Sequence, residues 1–169
     1  MATPEESYDV VLLVERPLTA AEAASLRTFH QELDDDPAIE VVYHVLLPVD
    51  DAPAAVEASL GIMGGTEVMA PTLDADEVAA IREANQEAAE ADLAATITAI
   101  RETGAHVVGE LVPGPVIDAL TDKVKAVDGR EVLVLTRSHL VAEFFHVDWT
   151  SRARRKLGVP VLHLIEHTD

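Results

Sequence analysis

The sequence contains no cysteine. Disulfides and thiolate metal sites are therefore excluded, which fits a reducing compartment. Aromatic residues are scarce, at 4%, while hydrophobic residues make up 49%. A sizeable core must then be built mostly from Val, Leu, Ile and Ala. Basic residues are few: 12 Lys and Arg stand against 31 Asp and Glu, a formal charge of −19. A surface that acidic repels phosphate backbones and anionic membranes, so neither nucleic acid nor a membrane is expected as a partner. The first residues, MATPEESYDVVLLVERP, lack a basic n-region, and their apolar run is too short to span a bilayer. A soluble, cytoplasmic protein is expected. G-x-S-x-G, a Walker loop and a paired-carboxylate signature are also missing. No reaction is indicated, and a non-catalytic role is favoured.

What the sequence does contain is a regular alternation. Tyr8 to Glu15, YDVVLLVE, is a continuous apolar run of the kind found in strands buried on both faces. A helix follows, with Thr19 as N-cap and Glu22 completing a capping box. Leu26, Phe29 and Leu33 recur at helical spacing, and Pro37 ends the helix. Ile39 to Val49 is a second β-branched run. Residues 50–73 form a long connection rich in Gly and Pro, with room for a short helix at Ala54 to Leu60. Asp74 and Glu77 make another capping box and open a long helix. Its stripe is Val78, Ile81, Leu93, Ile97 and Ile100, with an overhanging polar middle near Asn85 to Glu90 and Gly104 as the C-cap. Then come strand HVVGELV, helix PVIDALTDKVKAV with Ile117, Leu120 and Val124 inward, and strand REVLVLT. A further helix and strand PVLHLIEH complete the order. Strands alternating with helices predict a parallel sheet with helices on both faces, in one domain over 1–169.

The segment ITAIRETGAHVVGELVPGPVIDALTDKVKAVDGREVLVLTRS resembles the central block of the universal stress protein family. VYHVLLPV is similar to that family's second strand and GVPVLHLIEH to its Pro-initiated last strand. The resemblance covers nearly the whole chain. It implies a three-layer α/β domain like the adenine nucleotide alpha hydrolases, with a five-stranded parallel sheet in the order 3-2-1-4-5. It also implies a homodimer paired through the final strand, residues 160–167, which would otherwise be a bare edge.

The family's nucleotide-binding members carry G-x2-G-x9-G-[ST] after the fourth strand. Aligned without gaps, those places fall on Leu135, Ser138, Asp148 and Trp149. The three glycines are absent. Glycine lets backbone N–H groups close around phosphate at a helix N-terminus. Leu135 and Trp149 do not reproduce that cradle, and Asp148 would place a carboxylate where the anion sits. As an N-cap, Asp148 would satisfy the helix amides itself. The family's Asp at the end of strand one becomes Glu15 here. The expected function is a universal-stress-type regulatory protein, non-catalytic, whose nucleotide site is lost or remodelled. No cofactor is expected. The alternative is a binder of ATP, another nucleotide or a small anionic phosphate ligand. Its candidate residues are Glu15, Thr136, Arg137, Ser138, Asp148, Trp149, Thr150 and Ser151.

Other constellations have ordinary readings. His139, Glu143 and His146, with Asp148, could offer nitrogen and oxygen to a metal-dependent enzyme, but solvated or hydrogen-bonded side chains are the default. Phe144, Phe145 and Trp149 suit local packing or an apolar partner surface. Arg152, Arg154, Arg155 and Lys156 complement a helix C-terminus, or with Arg137 receive an anion. His44 and His163 fall inside apolar strands and read as satisfied core histidines.

Overall fold

The computed structural model describes residues 6–49, 74–136 and 154–165. Five parallel strands carry it: β1 (Glu6–Val14), β2 (Ile39–Pro48), β3 (His106–Val112), β4 (Glu131–Thr136) and β5 (Val161–Ile165). Their order is 3-2-1-4-5, as the resemblance implied. Between them run α1 (Ala20–Phe29), α2 (Gln31–Asp34), α3 (Ala75–Glu102) and α4 (Val116–Val127). Residues 154–157 are also helical.

The apolar run of β1 behaves as its sequence requires. Val10, Leu12 and Val14 face one layer with Tyr43, Val45 and Leu47 of β2, meeting Leu26 of α1 and Ala89 and Ile100 of α3. Val11 and Leu13 face the other layer with Leu46, Val132 and Val134, meeting Leu120 and Val124 of α4 and Leu157. Helices therefore cover both faces. No helix among the described residues is long and apolar enough to cross a membrane.

Helix starts follow the sequence closely. Thr19 and Asp74 cap α1 and α3, each in a complete capping box. At the end of α3 the cap is Thr103, and Gly104 follows at φ 88°. That left-handed step strains any residue with a Cβ, which is why glycine stands one place past the cap. Gly109 has a different purpose. A Cβ there would lie 2.8 Å from Leu93 Cδ1 and 3.0 Å from Ile97 Cδ1, so its absence lets α3 sit close on β3.

The first helix departs from expectation. It stops at Phe29, and α2 restarts after His30 (φ −101°, ψ 13°), rather than running unbroken towards Pro37. Phe29 is 53% exposed and does not belong to the buried stripe, whereas Leu26 is buried and Leu33 packs against the core. At the break sits His30, whose side chain is only 3% exposed. Its Nε2 lies 2.5 Å from Glu131 Oε1 and its Nδ1 lies 2.8 Å from the Tyr43 hydroxyl. Glu131, 7% exposed, opens β4. The inward imidazole satisfies that buried carboxylate. Burial, and then the nearby Asp34 charge, pushes the Tyr43 hydroxyl above its ordinary value, so it stays a neutral donor.

In α3, Ala89 is buried, so contact with the core begins inside the stretch expected to overhang. The residues before it, 75–88, include none that is buried. Ile100 is buried, Leu93 and Ile97 pack partly, and Val78 and Ile81 are only half-buried. In α4, Leu120 and Val124 are buried as expected, with Thr121 beside them, while Ile117 is half-buried. The expected short helix at 54–60 lies outside the described residues.

Replacing His30 by Ala leaves the Glu131 carboxylate buried without its imidazole. We expect a loss of about 3 kcal/mol by urea denaturation, against about 1 kcal/mol for Tyr43→Phe.

Candidate functional site

The strand order reverses at β1. From β1 the chain moves outward to β2 and β3, then crosses back to β4 and β5. In an open parallel sheet, the crevice beyond the carboxyl ends at such a switch point is where ligands bind. Here it lies between the ends of β1 and β4, where Val14 pairs with Leu135.

Two expected site residues are placed there. Glu15 follows β1 directly and is half-buried, and Thr136 is the last residue of β4, its backbone in register with Ile165 of β5. The ends of the two strands bring these positions to one edge. Arg137, Ser138, Asp148, Trp149, Thr150 and Ser151 lie outside the described residues, as do His139, Glu143 and His146. Among the described residues, no group of three or more His, Cys, Asp or Glu is arranged to hold a metal ion.

Leu135 bears on the expected loop. The ungapped alignment expects the first glycine place of the family motif here, and in the structure the residue belongs to a strand. Val14 pairs with it on one side and Leu164 on the other, and its side chain packs against the core.

The turn from β1 into α1 holds a residue that the sequence reading overlooked. Arg16 grips Glu22 with both guanidinium arms, Nη1 to Oε2 at 2.9 Å and Nη2 to Oε1 at 2.5 Å. Nη1 also donates to the Pro17 carbonyl at 3.0 Å. The same Glu22 carboxylate accepts from the Thr19 amide at 2.9 Å and the Thr19 hydroxyl at 3.1 Å. Deeper in, the Leu18 amide donates to Thr96 Oγ1 of α3, a fully buried hydroxyl. The turn is thus fixed at both ends. Its strongest positive group already faces an internal carboxylate. The capping box was legible in the sequence, but Glu22 sits six residues from Arg16, and no helical spacing flags that pair.

Comparison with solved structures follows from this geometry. A universal stress protein from Archaeoglobus fulgidus superposes with TM-score 0.52 and 15% identity over 92% of each chain. A protein of that family from Burkholderia pseudomallei gives 0.52 and 18%, covering 93% of this chain and 96% of the other. A hypothetical protein, solved for a structure-based assignment of biochemical function, gives 0.60 and 11% over 95% and 97%. No family model matches the sequence, and no curated protein does. The chain has the universal stress protein fold.

The hydrogen bonds from Arg16 hold the Glu22 carboxyl below its ordinary 4.5. A lowered folded-state value means the contact stabilises fully above the unfolded value and fades as pH falls through the folded one. The stability difference between wild type and Arg16→Met should therefore be constant at neutral pH. It should shrink below about pH 4.5, as thermal unfolding across pH would record.

Proposed function

We propose that the chain is a universal-stress-type regulatory protein of the cytoplasm, without catalysis, in which the family's nucleotide cradle is lost or remodelled. The observation that carries this reading is Leu135. A phosphate loop needs a backbone free to curl at this place, but the residue is committed to two strand ladders and to core packing. Two further features agree. Glu15 places a carboxylate at the mouth, and the Arg16 guanidinium is engaged by Glu22. Both reduce the positive potential that would attract a polyphosphate.

Isothermal titration with ATP, ADP and AMP should give no heat of binding. A micromolar Kd that weakens on Arg137→Ala would instead favour the alternative, a phosphate-ligand site built on Thr136, Arg137 and Ser138.

The reading includes a homodimer through β5. That strand is the last in the sheet order, and Leu162 is partly exposed there. Burial lowers the pKa of His163, so the strand carries an uncharged imidazole at neutral pH. Pairing with a second copy would satisfy the open backbone edge. Sedimentation at micromolar concentration should show a dimer, and Leu162→Lys should shift it towards monomer.

A further inference from the structure

The sheet face that carries α4 holds a polar chain well away from the switch point. Asp9 Oδ1 lies 2.7 Å from His44 Nε2, and the Ser7 hydroxyl donates to Asp9 Oδ2 at 2.6 Å. The Asp9 and His44 side chains are only 14% and 12% exposed. In a parallel sheet such positions are normally apolar, and placing a carboxylate and an imidazole there costs desolvation. The pair fixes the ring: in the neutral form Nε2 carries the proton, and Nδ1 is left as an acceptor. Among the described residues Nδ1 has no hydrogen-bond partner.

The strand order places Asp9 on one flank of His44, towards β1. On the other flank, towards β3, is a recess of about 240 Å³. His44, Val108, Glu110 and Lys123 line it. Lys123 Nζ of α4 meets Glu110 Oε1 of β3 at 2.8 Å. Val108 is 54% exposed, an apolar side chain left open at this place. The recess is smaller than the roughly 300–1,000 Å³ of sites for drug-sized ligands, so any occupant is a small molecule.

We propose that this recess binds a small zwitterion of the α-amino acid type. Its ammonium donates to His44 Nδ1 and Glu110, its carboxylate accepts from Lys123, and an aliphatic side chain covers Val108. The argument is one of charge. A lone anion taken up by Lys123 would strip Glu110 of its partner, and a lone cation taken up by Glu110 would strip Lys123. A zwitterion replaces the one ion pair with two, so Lys123, only 22% exposed, keeps a partner while the solvated Glu110, 54% exposed, gains one. The Asp9 carboxylate acts through His44 by fixing which ring nitrogen faces the ligand. This site is separate from the strand-end crevice, and its test does not depend on whether a nucleotide binds there.

The experiment follows the imidazole nitrogens of His44 by NMR in the full-length protein. It titrates L-valine, glycine, glycine betaine and acetate in turn. Valine should produce saturable shifts, and glycine weaker ones. Betaine, which has no N–H, and acetate, which has no ammonium, should produce none. Lys123→Gln, a partly exposed substitution that leaves the sheet intact, should weaken valine binding at least about tenfold. In His44→Phe, which lacks that probe, the backbone amides of Val108 and Glu110 should no longer shift with valine, while remote amide shifts stay in place. The proposal is overturned if valine gives no saturable shift at millimolar concentration. Equal shifts from betaine and acetate, or unaltered valine binding in Lys123→Gln, would overturn it too.

Discussion

From Val10 to Val14, strand β1 has no side that faces water. β2 and β4 flank it in the sheet plane, and helices lie above and below. Every backbone group in such a strand must find a partner within the sheet, and every side chain must fit a packed layer. That constraint explains why Val10 to Val14 are all aliphatic. It also explains the position of the crevice. With β1 fixed, the turn after Val14 emerges between β2 and β4. Glu15 and Arg16 are placed by topology rather than by local preference.

The polar groups that are buried sort into two kinds. His30, Glu131 and Tyr43 form a closed set, in which the described hydrogen bonds account for both ring nitrogens, the carboxylate and the hydroxyl. Such a set rigidifies the core and specifies how α1, β2 and β4 meet. Asp9 and His44 form an open set, closed at the carboxylate by Ser7 and open at one ring nitrogen. The contrast separates a packing role from a receptive one, although both hold a histidine against a carboxylate.

Local chemistry was legible in the sequence. The capping boxes at Thr19 and Asp74, the glycine after α3 and the strand runs needed only neighbours within four residues. The order of the sheet was legible through family resemblance, since no periodicity gives it. Contacts between distant residues were not legible. His30 and Glu131 are 101 positions apart, and no pattern near either marks the pair. His44 lies within a strand as read, but its partner Asp9 is 35 positions away and engages only one ring nitrogen. Of the expected site residues, Glu15 directly follows β1 and Thr136 ends β4. Arg16 was missed, because its partner lies across a turn rather than along a helix face.

The long span between His30 and Glu131 also governs the protein while it is being made. As the nascent chain emerges from the ribosome, the first helices and β2 can assemble early. Their imidazole then waits for a strand that begins about four-fifths of the way along the polypeptide. Until that strand arrives, β1 has one flank unpaired and the inward histidine has no carboxylate. Final consolidation is thus tied to late translation, and the partly made molecule leaves one edge of β1 open at the time when a helper protein would be most useful.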